Sequence, residues 1–186
     1  VAERGGTLAV VDVSDPTDPT YKCRLDFGAL GTWLGCHTAN PIPGTDLVAC
    51  TTEAILEGTP LERPGGDPLQ YALLVDVSDT SQDPHFVAQE DLEGAGGSTR
   101  DTTAEVPEGL SAQDHVGPRI VASLPLPRPE EHLPYKNYDE KQGRFGPHNQ
   151  YHYREGEPTL RLEDYLVACW FNAGLRIFDI SDPLAP

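Results

Sequence analysis

Residues 8–16 read LAVVDVSDP, and this pattern decides the fold because it returns twice. The later copies are LLVDVSD at residues 73–79 and LRIFDISDP at residues 175–183. Each copy begins with aliphatic and β-branched residues, which favour short β-strands. Each copy then ends in Asp-x-Ser-Asp, whose carboxylates build turns by accepting hydrogen bonds from nearby backbone N–H groups. The turn-building side chains are expected to be Asp12, Asp76 and Asp179.

Other elements repeat around this pattern in the same order. The tetrapeptide LVAC occurs at residues 47–50 and again at 166–169, and a histidine, His37 or His148, precedes each copy. A proline-led strand follows the Asp turn at residues 19–25 and 118–124. Four short strands in a repeat of about 40–45 residues are typical of a β-propeller blade.

The repeat predicts an all-β chain made of β-propeller blades, each with four antiparallel strands. Residues 1–186 form a single β-propeller region that holds about two blades and part of a third. Because propellers close with about 4–8 blades, we expect this region to belong to a larger ring, with seven blades as one candidate number. The longer spacing in the first copy predicts an inserted loop at residues 56–71 within the first blade. A second inserted loop is predicted at residues 80–117, between the blades.

Several segments resemble the LVIVD-repeat family of β-propellers. VDVSDP at residues 11–16 and GLRIFDISDP at 174–183 resemble the repeat itself. HTANPIPG at residues 37–44 and RFGPHN at 144–149 resemble further segments of bacterial LVIVD-repeat proteins. The resemblance implies a propeller fold. It also implies an extracytoplasmic or secreted location, since such proteins are often exported, with a cytoplasmic location left open.

The chain is strongly acidic. Its 13 basic and 30 acidic residues give a formal net charge of −17. This acidic surface would repel a phosphate backbone. We therefore expect that the chain does not bind nucleic acid, since it has no excess of basic residues to form a broad basic face. No apolar run reaches the roughly 18 residues of a membrane-spanning helix, so we expect no membrane insertion. The partners left are a small-molecule or protein ligand at a propeller face, a second copy of the chain, or the remaining blades of the same propeller.

Three residues make a candidate metal site. His37 and His148 stand at the start of their blades, and in propellers the strand that follows lies nearest the central axis. The loops that carry them would therefore line one mouth of the channel, where two imidazoles from adjacent blades can converge. Glu53 follows the first LVAC strand, at the place that Asn172 takes after the second, and is expected to meet His37 there. Histidine and carboxylate ligands suit Zn, Fe or Mn as a divalent transition metal.

A fourth candidate ligand is His152, four residues after His148. Residues i and i+4 of a strand lie about 13 Å apart, so His152 joins the site only if the chain turns between them. The resemblance adds copper to the candidate metals, because LVIVD repeats are distantly similar to selenium-binding (methanethiol oxidase) propellers, which hold copper through histidines. Carotenoid oxygenases hold iron in the same way. This is an analogy between folds, and it identifies no reaction.

Two classes of function stay open. In the first, blade-start histidines form a ligand or metal site at the channel mouth, and the bound metal makes the protein an enzyme. In the second, the chain is a non-catalytic, extracytoplasmic propeller that binds a protein or another ligand through its top loops and long insertions. Each histidine then only bonds a neighbouring loop and fixes one blade against the next. No catalytic residue is identified, because the chain has neither a nucleophile elbow nor a Walker loop.

The remaining cysteine, tryptophan and histidine residues are assigned ordinary structural roles. The four cysteines have no zinc-ligand spacing and are interpreted as buried small apolar residues, with a disulfide left open. Trp170 is expected in the core, and Trp33 is the other half of a less favoured stacking pair for a ligand. Three histidines are expected in exposed loops: His85, His115 and His132.

Overall fold

The structure is a computed structural model that describes residues 2–3, 7–27, 36–53, 70–84, 117–141, 143–151 and 164–186. These residues form ten β-strands and two 3₁₀ turns, Asp139–Lys141 and Phe171–Ala173. The strands are β1 (Ala2–Glu3), β2 (Thr7–Asp12), β3 (Thr20–Asp26), β4 (Thr38–Pro41), β5 (Leu47–Thr51), β6 (Ala72–Asp76), β7 (Arg119–Ser123), β8 (Gln150–Tyr151), β9 (Tyr165–Trp170) and β10 (Gly174–Asp179). No helix within these ranges is long and apolar enough to cross a membrane.

The strands form three antiparallel sheets. The first sheet has the order β1-β2-β3, the middle sheet β4-β5-β6-β7, and the third sheet β10-β9-β8. Every pairing joins strands that are neighbours in the chain. The middle sheet is thus a four-stranded meander, as expected of a blade. The prediction of an all-β chain with antiparallel sheets is confirmed.

The Asp-x-Ser-Asp motifs end β2, β6 and β10 with the same turn. The Ser14 N–H donates to Asp12 Oδ1 at 2.9 Å, and the corresponding bonds from Ser78 to Asp76 and from Ser181 to Asp179 are 2.9 and 3.0 Å long. The second Asp of each motif accepts the same kind of bond two residues on; the pairs are Asp15 with Thr17, Asp79 with Ser81, and Asp182 with Leu184. Bonds from Ser14 lower the pKa of Asp12. The predicted turn-building role is confirmed.

The two LVAC segments do not occupy equivalent positions. Asp76 pairs with Leu47, whereas its counterpart Asp179 pairs with Tyr165, one residue before the second LVAC. Val48 is therefore equivalent to Leu166. A shift of one residue turns every side chain of a strand to the other face.

The same shift corrects an equivalence inferred from sequence. Glu53 lies six residues after Leu47, the partner of Asp76, and Phe171 lies six residues after Tyr165, the partner of Asp179. The counterpart of Glu53 is therefore Phe171 and not Asn172.

Two apolar layers hold the three sheets together. One layer includes Leu8, Leu25, Phe27, Val48, Cys50, Leu73 and Val75, and it joins the first and middle sheets. The other includes Ala49, Ala72, Leu74, Leu124, Phe145, Leu166, Ala168 and Trp170, and it joins the middle and third sheets. The first strands of the middle and third sheets also touch, because Asn40 Nδ2 donates to the Gln150 carbonyl at 2.8 Å.

The third sheet exposes its other side, which we call the open face: Tyr165, Val167, Cys169, Leu175 and Ile177. Tyr165 is 41% exposed, Leu175 63% and Ile177 62%. At the equivalent positions of the middle sheet, Ala72 and Leu74 are fully buried against the third sheet. The two sheets thus carry the same apolar face, covered in one and uncovered in the other.

Both predicted insertions lie largely outside the described residues, but the structure describes the residues that flank each one. The Thr52 N–H donates to the Tyr71 carbonyl at 2.9 Å beside the first one. The Gly117 N–H donates to Asp79 Oδ2 at 3.1 Å, across residues 85–116. Gly117 has a φ of +89°, and a Cβ there would lie 2.7 Å from the Gln82 carbonyl oxygen, so only glycine fits this crossing.

The cysteine prediction is wrong at one position. Cys23, Cys36 and Cys50 are buried free thiols, but Cys169 is exposed because the offset places it on the open face. Trp170 is fully buried in the core, as predicted.

His132 lies in an exposed loop, also as predicted, with 74% of its side chain accessible. His85, His115 and Trp33 lie outside the described residues.

Candidate metal centre

The backbone holds the two predicted histidines in equivalent positions. The His37 N–H donates to the Thr51 carbonyl at 2.7 Å, immediately before β4. The His148 N–H donates to the Cys169 carbonyl at 2.8 Å, shortly before β8. Thr51 and Cys169 are themselves equivalent, because they pair with Ala72 and Leu175 at matching distances from the Asp turns. Each histidine thus lies just before the first strand of its sheet.

These two starts bring the imidazoles together. The ring centroids of His37 and His148 lie 4.2 Å apart, with 31° between the ring planes. Glu53 contacts both rings: its Oε2 is 3.5 Å from His37 Nε2, and its Oε1 is 3.4 Å from His148 Nε2. One ligand atom from each residue lies within 4.8 Å of the other two.

The Glu53 carboxylate is buried, with the residue 8% exposed. A buried carboxylate is costly unless charged or polar partners surround it. Besides the two imidazoles, Arg144 provides such a partner, because its Nη1 lies 3.3 Å from Glu53 Oε1. The described surroundings of Glu53 therefore combine one permanent cation with two groups whose charge depends on pH.

Phe171 forms a wall of the site. Its ring stacks on Arg144, whose Cζ lies 4.0 Å from the ring centroid, and it lies 4.9 Å from the His148 ring, centroid to centroid. Phe171 has a φ of +23°, a conformation that costs a non-glycine residue about 1–3 kcal/mol. Such strain persists only where the surroundings impose it, here at the start of the three-residue 3₁₀ turn between β9 and β10.

Two threonines orient the histidines. His37 Nδ1 lies 2.8 Å from Thr38 Oγ1, in a hydrogen bond that leaves Nε2 directed at Glu53. Thr51 Oγ1 donates to the His148 carbonyl at 2.5 Å, which connects the middle blade to the backbone of the second histidine. A partner on the second ring nitrogen holds the direction of a ligating imidazole, and Thr38 is such a partner for His37.

The surroundings favour the neutral form of His148. Burial lowers its pKa below the ordinary value, the neighbouring His37 and Arg144 lower it further, and Glu53 opposes them. A neutral imidazole offers the lone pair that a metal ion requires.

The structure thus brings together three of the four residues proposed as ligands, namely His37, His148 and Glu53. His152 lies outside the described residues. Sequence reasoning missed Arg144, Phe171 and Thr38. The sequence could have indicated Arg144, because this residue belongs to the RFGPHN segment that contains His148. The sequence did not indicate Phe171, because aligning the two LVAC segments made Asn172 the counterpart of Glu53.

A family model described as LVIVD repeat matches residues 1–26 and 162–186. The chain carries LVIVD repeats. These LVIVD segments contain β1–β3 and β9–β10. The resemblance found in the sequence is therefore confirmed at both segments. Comparison with curated proteins finds no match, and comparison with solved structures finds none either.

Proposed function

We propose that His37, His148 and Glu53 bind one divalent transition-metal ion between two blades of an LVIVD-type propeller. The observation that carries this proposal is the convergence of three ligand atoms within 4.8 Å, two from one sheet and one from the next. Convergence across two blades is not a consequence of local sequence. It requires both histidines at blade starts and a carboxylate just after β5.

The spacing of the ligand atoms suits an ion. Zn–N and Zn–O bonds are about 2.0–2.2 Å long, which places two ligand atoms of a tetrahedral site about 3.4 Å apart. The two imidazole–carboxylate separations are 3.5 and 3.4 Å. The donor set of two imidazoles and one carboxylate suits Zn, Mn or Fe, and imidazoles also suit Cu.

Three protein ligands leave a tetrahedral ion with one position for water or substrate, as in catalytic zinc sites. A metal bound there would act as a Lewis acid or lower the pKa of its water, so the protein is proposed as a metal-dependent enzyme. The chain's own residues would hold the ion through the two Nε2 atoms and the Glu53 carboxylate. Thr38 would hold the direction of the His37 ring.

We further propose that the three sheets are consecutive blades of a closed propeller. The support is the open face of the third sheet. Leu175 and Ile177 are exposed there, while their counterparts Ala72 and Leu74 are buried by a neighbouring sheet. A further blade is the occupant that this face fits, because the covered and open faces are apolar at matching positions.

The test is metal content after loading the purified chain with Zn²⁺, Mn²⁺, Fe²⁺ or Cu²⁺ and removing free ions by gel filtration. One ion per chain is expected in the parent and in His132→Ala, which removes an exposed histidine as a control. The variants His37→Ala and His148→Ala are expected to retain none while keeping their circular dichroism spectra. Metal retained by a folded double variant, His37→Ala with His148→Ala, would refute the proposal. Absence of metal from the parent would also refute it and leave the non-catalytic binding propeller as the surviving class.

A further inference from the structure

One oxygen of the candidate metal centre has two competing partners. Glu53 Oε1 lies 3.4 Å from His148 Nε2 and 3.3 Å from Arg144 Nη1. A metal ion that takes this oxygen brings a second positive charge next to the Arg144 guanidinium. The ion and the guanidinium therefore compete for Glu53, and each weakens the hold of the other on the carboxylate.

Arg144 is placed to take a different partner. Its side chain is 34% exposed, so solvent reaches the guanidinium beside the histidines. The Phe171 ring supports the guanidinium from one side at 4.0 Å, which limits the directions in which it can turn. A guanidinium held in this way presents a planar set of donors that matches the oxygens of a carboxylate, sulfate or phosphate group.

The charge of the whole chain makes this placement specific. With a formal net charge of −17, the protein attracts cations and repels anions over most of its surface. A partly exposed arginine beside a candidate metal site is a local exception, because it offers a cationic group to an anion there.

We propose that Arg144 makes the centre bind its metal ion together with a small anion, so that the substrate or co-ligand carries a carboxylate, sulfate or phosphate group. This inference rests on the metal site proposed above. Metal binding draws Glu53 away from Arg144, so the guanidinium can turn the donors that faced Glu53 to the anion. Anion binding in turn draws Arg144 away from Glu53, and the freed carboxylate oxygen takes the metal.

The two ligands are therefore linked by one ion pair. Linkage is reciprocal, so the factor by which the anion tightens metal binding equals the factor by which the metal tightens anion binding. Coupling between two sites is typically about 5–150-fold, and a partly exposed ion pair falls at the low end of that range.

The test is a Co²⁺ titration of the full chain, followed by absorption spectroscopy at neutral pH, with and without inorganic sulfate. In the parent, sulfate is expected to tighten Co²⁺ binding about five-fold. The variant Arg144→Gln is expected to bind Co²⁺ more tightly than the parent without sulfate, because the competing cation is gone, and to show no tightening with sulfate. The control Arg128→Gln removes an equal charge from an exposed position and is expected to behave as the parent.

The outcomes separate the two proposals. Binding of Co²⁺ that is indifferent to sulfate in the parent would overturn the anion inference and leave the metal site standing. If sulfate still tightened Co²⁺ binding in Arg144→Gln, the anion inference would be overturned as well, since the anion would then bind elsewhere. If the parent binds no Co²⁺ in either condition, the metal site and the inference both fall. Should Arg144→Gln not fold, Arg144→Lys keeps the charge without the planar guanidinium, and it is expected to bind Co²⁺ with reduced coupling to sulfate.

Discussion

The middle and third sheets contain the same four letters, LVAC, and bury them in opposite ways. Cys50 is 1% exposed in the layer between the first and middle sheets, whereas Cys169 lies exposed on the open face. The registers explain the difference, because Leu47 pairs with Asp76 but Tyr165, and not Leu166, pairs with Asp179. Identical letters therefore do not establish equivalent positions in a sheet, where a single-residue offset exchanges the two faces.

The connections that follow β5 and β9 also differ. The turn Phe171–Ala173 joins β9 directly to β10, whereas residues 52–71 join β5 to β6. The short turn places Phe171 where the middle sheet has Glu53. One blade thus offers a carboxylate at this position, and the next offers an aromatic wall.

The largest expected effect concerns Leu74 and Ile177, which are equivalent but differ in exposure, 0% against 62%. Leu74→Ala should lower the free energy of unfolding by about 2–5 kcal/mol, because it opens a cavity in the core. Ile177→Ala should change it by about 0.5 kcal/mol or less. Urea unfolding of both variants measures the contrast. Equal losses would contradict the difference in exposure between the covered and the open face.

The two cysteines of LVAC should differ in reactivity. Burial raises the pKa of Cys50 well above its ordinary value, and the neighbouring Cys36 thiol adds to this, so Cys50 is protected both by burial and by protonation. Iodoacetamide should modify Cys169 at least about a hundred-fold faster than Cys50, since Cys50 reacts only after local opening. Peptide mass spectrometry over time gives both rates from one sample. Similar rates would contradict the offset between the two strands.

The residues that follow the two histidines provide a sharper test of the metal centre. Thr38 hydrogen-bonds His37 Nδ1 at 2.8 Å, whereas its counterpart Asn149 is exposed. Thr38→Val should weaken metal binding about 10–100-fold, the usual effect of losing a partner that orients a ligand. Asn149→Ala should leave the affinity unchanged. Calorimetric titration with Zn²⁺ compares them, and an equal response of the two variants would exclude the orienting role of Thr38.

The smallest expected effect is a pH dependence of stability in the metal-free protein. The pKa of His148 is lowered in the folded chain, so the unfolded chain binds the proton more readily. Stability from this group is therefore complete above the unfolded value of about 6.5 and is lost as the pH falls from there through the folded pKa.

Two glutamine variants isolate this effect. His148→Gln should flatten the decline of the unfolding midpoint below about pH 6.5, and the exposed control His132→Gln should leave it unchanged. A decline that is identical in His148→Gln and in the parent would show that other groups cause it.

Much of the fold could be predicted because its signals are local. Asp12, Asp76 and Asp179 cap their turns through serines two residues away, so a short peptide pattern already contains both partners. Aliphatic runs before these turns form strands for the same reason. His37 and His148 could be assigned to blade starts because the order of the repeated elements placed them there.

The sequence by itself determined the strands, their Asp turns and the equivalence of the two histidines, since each depends on residues close together in the chain. Only the tertiary structure decided the register of β9, the exposure of Cys169 and the position of Phe171. It also decided that Glu53 meets His148 and Arg144, which lie 95 and 91 positions away in the chain. Contacts of that kind depend on how one blade packs on the next, and no local pattern of residues encodes a distance between blades.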